Sequence, residues 1–211
     1  MANTAMQAFG WVLGLLAWGA TIAMLLSEQW RTSSILGDSA AAIDIQGRHD
    51  GLWATCTKYP SGETHCTFFG TEIGEVLGVI IGCRALLIIA IIFGIIAALI
   101  IVFSFKCSKH GPQEQEKKAQ IGKYGGSVYL ACGVCVTVAA AWYITDVYMT
   151  ITLPDPKGRP MKWITGESVQ MALAAGILWL IGSVFVLLGS RTSRRDIMMY
   201  EHKTPLHQEY I

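Results

Sequence analysis

Four stretches of this chain, residues 8–27, 76–105, 126–145 and 168–190, hold one charged side chain among them, Arg84. Each reaches the ~20 apolar residues that an α-helix needs to cross ~30 Å of hydrocarbon. Helices buried in a soluble bundle would carry polar stripes on their outer faces, and these segments have none. The composition agrees: 15% of the residues are charged, where a soluble domain has about 25%. The chain therefore reads as an α-helical membrane protein with four spans. One membrane domain occupies residues 1–190, and a short polar tail follows over 191–211.

The second block is 30 residues long, about 45 Å as a helix, more than a bilayer core requires. Its surplus turns are expected to tilt or project into water, at the end near Arg84. Residues 1–7 contain no Lys or Arg, and the apolar run behind them is of full span length. The first helix therefore reads as a retained anchor rather than a cleaved leader.

Short loops rich in Lys and Arg stay on the cytoplasmic side. The segment 106–125 carries Lys106, Lys109, Lys117, Lys118 and Lys123, and the tail carries Arg191, Arg194, Arg195 and Lys203. The first loop, about 28–75, is acidic, and the second, about 146–167, is shorter. Three bases in the second loop pull the other way, but the balance places both termini inside and both of these loops outside.

Cys56 and Cys66 are the cysteines that fall in a predicted extracellular segment, where disulfides persist. Cys83, Cys132 and Cys135 lie within spans and read as packing residues. Cys107 sits at the cytoplasmic membrane edge, a position open to S-palmitoylation. Setting Cys56 opposite Cys66 and counting inward pairs Thr57 with His65, Lys58 with Thr64 and Tyr59 with Glu63. Pro60-Ser61-Gly62 remains as a three-residue loop, with Gly62 where such a loop wants a left-handed residue. A lone hairpin is marginal in water, and closing a ring of this size adds somewhat under ~3 kcal/mol in the chain-entropy account. Zinc on Cys56, His65 and Cys66 is excluded by the ligand spacing.

WRTSSIL (30–36) and AAIDIQ (41–46) read as further strands around a Gly37-Asp38 turn. Trp30 closes the first span at the interface where Trp is enriched, and Trp53 is placed to pack the sheet on the bilayer surface.

Trp30, Gly51-Leu52-Trp53, Cys56 and Cys66 together resemble the W…GLW…C…C pattern in the first extracellular loop of claudins. The resemblance covers nearly the whole chain. Arg84-Ala85-Leu86 is similar to the opening of a claudin second span, Lys106-Cys107 to its cytoplasmic end, and Trp142-Tyr143 to a pair in the third. It implies a left-handed four-transmembrane-helix bundle with a small antiparallel extracellular β-sheet. It also implies a tight-junction protein that polymerises within one membrane and meets partners on the next cell, as a paracellular barrier or ion-selective pore. The same superfamily holds an alternative, an auxiliary subunit of an ion channel or a myelin-type protein. Those relatives frequently carry a first-loop glycosylation sequon, which this sequence lacks, its one asparagine being Asn3.

Under this resemblance Arg84 ties the second helix to loop carbonyls, against the plainer reading that it snorkels to the interface. The implied partners are other claudins in cis and trans, membrane lipids, and PDZ scaffolds that capture the C-terminal carboxylate and bury an apolar last residue, here in Tyr210-Ile211. The chain departs from the family at Ile151-Thr152, where an aromatic pair is usual, and in TFFGTEIGEVLG (67–78), which lacks the Leu-rich stretch. Thr67 leaves a known selectivity position uncharged. The first loop nonetheless holds seven acids against three bases, and a lining of that sign favours cations. Asp50, Lys58 and Glu63 are the candidate charges. No catalytic constellation, cofactor motif, metal set or nucleic-acid motif is present in the sequence.

Overall fold

The computed structural model describes residues 4–35, 47–69, 78–105, 115–150 and 161–191. In chain order the elements are α1 (Thr4–Leu26), β1 (Arg31–Ile35), β2 (Gly47–Asp50), β3 (Ala54–Lys58), β4 (Thr64–Phe68), α2 (Gly78–Ser104), α3 (Gln115–Met149), β5 (Met161–Thr165) and α4 (Glu167–Gly189). Among the described residues, four helices are long and apolar enough to cross a membrane.

The helices form a ring. α1 packs broadly on α4, α4 on α3, and α3 on α2, while the α1–α2 seam is thin. Apart from Ala98, which flanks Ala97, the buried positions of α2 (Ile80, Cys83, Leu87, Ala90, Gly94, Ala97, Ile101, Ser104) recur at alternating steps of three and four. That 3.5-residue period keeps one stripe inward and imposes a left-handed supercoil. Small residues on α1 and α4 let the backbones approach, so close packing supplies the attraction that apolar surface cannot supply in lipid. Two large rings fill the centre. Tyr129 lies over Gly14 and meets Trp179 edge-on at 4.8 Å. The Trp179 indole donates to Thr21 Oγ1 at 3.2 Å. Across the thin seam, Trp11 donates to the Ala98 carbonyl at 3.0 Å and Trp18 to that of Ile91 at 2.9 Å. The donors are seven residues apart and so are the acceptors, in opposite directions, as two antiparallel helices require.

The strands form one antiparallel sheet in the order β4-β3-β2-β1-β5. The hairpin register reached by counting inward is the observed one: Cys56 faces Cys66, Thr57 faces His65 and Lys58 faces Thr64. Tyr59 N–H closes on Glu63 O at 2.9 Å, and Gly62 adopts φ +87°, a conformation that glycine takes without steric cost.

The described elements add to the sequence reading at three points. The strand beside β1 is Gly47–Asp50; the expected strand at 41–46 lies outside the described residues. The longest helix is α3, with 35 residues, and not α2, with 27. α3 extends the expected span 126–145 at both ends, starting inside the loop expected over 106–125 and running past 145. Hydropathy marks where a helix meets lipid, not where it stops, and Gln, Glu, Lys and Ala ahead of the span are good helix formers. Finally, the second loop, over 146–167, supplies β5, which pairs with β1 along its whole length.

Candidate functional site

The sheet is seated on one end of the bundle by contacts that begin at the last turn of α1. The terminal carbonyls of a helix have no intrahelical donor, and near hydrocarbon an unpaired carbonyl is costly. Trp30 folds back and its indole N–H donates to Met24 O at 2.8 Å; the indole of Trp53 donates to Leu25 O at 2.8 Å. Two tryptophans 23 positions apart thus cap neighbouring carbonyls of one helix. Trp30 is fully buried and meets Tyr143 of α3 edge-on at 5.1 Å.

Gly51-Leu52 bridges the two rings. A Cβ at Gly51 would fall 2.6 Å from Glu28 Cα and 2.8 Å from Ser27 O, so only glycine lets the loop cross the helix end. The Leu52 side chain enters the core. Its carbonyl points the other way and receives Arg84 from the second turn of α2, through Nε at 2.8 Å and also through Nη2. The guanidinium plane lies over Trp53 at 4.6 Å from the ring centroid and 5.9 Å from that of Phe69. A planar fork that stacks while it donates is a property of Arg that Lys does not share.

The opposite seam joins the sheet to α4. Gly166 N–H donates to Trp30 O at 2.9 Å, and Ser168 N–H to Gln29 O at 3.1 Å. The Ser27 and Ser168 hydroxyls share a hydrogen bond at 2.6 Å. Trp30 N–H in turn reaches Asp50 O at 3.0 Å.

Asp50 is the electrostatic centre of the sheet. The register sets Arg31, Asp50 and Thr55 side by side on three strands, and all three turn to one face. Arg31 reaches Oδ2 at 2.8 Å, while Arg48 Nε and Thr55 Oγ1 each reach Oδ1 at 2.9 Å. Trp163 of β5 covers Arg31, its ring 4.5 Å from the guanidinium. The Asp50 residue is 0% exposed. It is a structural anion, and its expected place among free loop charges is corrected accordingly. Its side-chain neighbours on β1 and β5 were not foreseen. The signal was there in the spacing Arg48-x-Asp50, which puts both on one strand face, once β1 is known to lie opposite.

The other charges expected at the site lie on the hairpin. Lys58 ends β3 and is exposed. Glu63 is exposed as well and stands 3.5 Å from His65 Nε2, whose ring rests edge-on against Tyr59 at 5.4 Å. Cys56 and Cys66 are joined in a disulfide. Glu28 Oε2 lies 2.9 Å from Cys56 Sγ, a grouping with metal-ligand character in outline. Both sulfurs are committed to the bond between them, so a single carboxylate remains. Cys107, Tyr210 and Ile211 lie outside the described residues.

Four spanning helices with a disulfide-stapled five-stranded sheet, clamped on one end by two indoles and an arginine, define a class of membrane protein. The sequence profile described as PMP-22/EMP/MP20/Claudin family matches residues 4–186. The chain belongs to that family. It is similar to claudin-19 of Mus musculus, 32% identical over 186 residues that cover 88% of this chain and 81% of the relative. Claudin-7 of Mus musculus is 29% identical over 190 residues, 88% and 86% of the two chains. Claudin-1 of Mus musculus is 27% identical over a stretch of the same coverage.

Removing one member of a buried ion-paired group costs more than removing an exposed charge. Asp50→Asn is therefore expected to lower sheet stability by about 2–4 kcal/mol, while Glu63→Gln shifts it by less than about 0.5 kcal/mol. Thermal unfolding of the two variants in detergent checks this; equal melting temperatures would refute the central role given to Asp50.

Proposed function

We propose that this chain is a structural and adhesion protein of the tight junction. It polymerises with other claudins, within one membrane and between apposed cells, to form a paracellular barrier or an ion-selective paracellular pore. The observation that carries the reading is the rigid seat of the sheet. A surface that must meet neighbours edge to edge has to be held at a fixed angle to the bilayer, and Trp30, Leu52-Trp53 and Arg84 supply that constraint. The auxiliary-subunit or myelin-type alternative is not favoured, since the relatives quoted above are claudins.

The sheet faces the extracellular space in this reading and both termini are cytoplasmic, which the Lys-rich 106–123 segment supports. Cys107 at the cytoplasmic edge is a palmitoylation position. Arg31, Arg48 and Asp50 are spent on one another inside the sheet. With those three set aside, the sequence of the first loop still holds six acids against one base, Lys58, and a lining of that sign favours cations over anions.

Expression of the chain in cells that make no junctions should yield continuous strands at cell contacts in freeze-fracture replicas. A matching epithelial monolayer should show a dilution potential of cation-selective sign. Cys66→Ser, which removes the staple, is expected to reach the surface yet leave contacts without strands; normal strands from it would sink the account of the hairpin. The tail adds a separate expectation. A peptide of residues 191–211 should bind PDZ domains through its terminal carboxylate and Ile211. Loss of Ile211 should weaken that binding at least about tenfold, and an unchanged affinity in a titration would remove the scaffold from the proposal.

A further inference from the structure

The hairpin disulfide joins two cysteines in unlike surroundings. Cys56 on β3 is 3% exposed, whereas Cys66 lies on β4, the outer strand of the sheet, where every residue is exposed. A staple on an outer strand is open to exchange, because a thiolate can reach its exposed end from solvent. Glu28 stands beside both sulfurs, its Oε2 2.9 Å from Cys56 Sγ and 3.7 Å from Cys66 Sγ. The sulfurs of a disulfide carry no hydrogen, so neither donates to the carboxylate, and the contact needs another reason.

The backbone fixes Glu28 in this place. Gly51 packs onto its Cα, where a Cβ would come within 2.6 Å. On one side the Ser27 hydroxyl is bonded to that of Ser168 at 2.6 Å; on the other the Gln29 carbonyl accepts from Ser168 N–H at 3.1 Å. Glu28 lines an open cleft of about 380 Å³ between the end of α1 and the sheet, which His49, Cys56 and Thr64 also line.

Exchange can run in two directions. A thiolate that bonds to Cys66 Sγ breaks the bond between Cys66 and Cys56, and the bonding pair leaves on Cys56 as a thiolate. That charge appears 2.9 Å from the Glu28 carboxylate, and a like charge so near disfavours the anion and slows its departure. A thiolate that bonds instead to Cys56 expels the pair onto Cys66, but it must come through the cleft in which the same carboxylate stands. The accessible sulfur thus has the poorer leaving group behind it, and the other is both buried and screened by an anion.

We propose that Glu28 is an electrostatic guard of the hairpin disulfide. By opposing negative charge at the sulfurs in either direction of exchange, it keeps a staple on an exposed strand closed against thiols. The inference is independent of the junctional reading and needs only the disulfide between Cys56 and Cys66.

The test follows reduction of the full chain in detergent by dithiothreitol, with the thiols released at Cys56 and Cys66 alkylated and counted by mass spectrometry. Glu28→Gln should speed loss of the disulfide about fivefold, and Glu28→Lys about tenfold or more. Glu63→Gln removes an acid of the same hairpin that is turned to His65, and should reduce at the wild-type rate. At about 1 M salt, where the screening length is ~3 Å, the advantage of Glu28→Gln over wild type should fall to about twofold. A hairpin merely loosened by substitution would instead reduce equally fast in the Gln and Lys variants, at any salt concentration. That result, equal rates in wild type and both Glu28 variants, or an equal gain from Glu63→Gln would each overturn the assignment.

Discussion

The last carbonyls of the first span set the terms for everything above them. A helix that ends at a membrane surface presents acceptors where water is scarce, and here two indole N–H groups from the following loop satisfy them. Because Trp30 and Trp53 belong to opposite sides of the sheet's central strands, capping the helix also fixes the sheet. Arg84 then pins the same loop from α2 through the Leu52 carbonyl. One group of side chains thus ends a helix, orients a sheet and joins two spans.

The interior indoles of the bundle follow the same rule. In hydrocarbon a polar side chain has no water to fall back on, and each tryptophan N–H facing the interior has found an acceptor on another helix: Trp11 on Ala98, Trp18 on Ile91, Trp179 on Thr21. The thin α1–α2 seam relies on the first two. The sheet solves a different problem, since its buried charge is neutralised rather than avoided. Asp50 accepts from two arginines and a threonine, and Trp163 shields the assembly from the side of β5. This arrangement ties the second loop to the first, so that the sheet surface is built from both.

The spans were legible because their lack of charge admits few other structures, and the hairpin because two cysteines and Gly62 leave one way of counting. Other features were not. The ends of α3 were hidden because its polar first turns form helix as readily as its apolar ones. β5 is a five-residue strand whose partner lies more than a hundred residues away, and local pattern carries no trace of such a pairing. The burial of Asp50 depends on register across three strands; its charge alone suggested a solvated residue. Arg84 was placed by resemblance, and its geometry, a forked donation to Leu52 with Trp53 beneath, is a property of the folded chain.

The claim that Arg84 and the indoles lock the sheet to the bundle is tested most directly by hydrogen exchange. Arg84→Met keeps the apolar stem and removes the fork. If the account holds, amides of residues 50–58 in the variant exchange about tenfold faster or more, the equivalent of ~1.4 kcal/mol of local opening, while protected amides in α3 and α4 exchange at unchanged rates. Unchanged exchange across 50–58 would contradict it and would leave the sheet held by its own strands and disulfide alone.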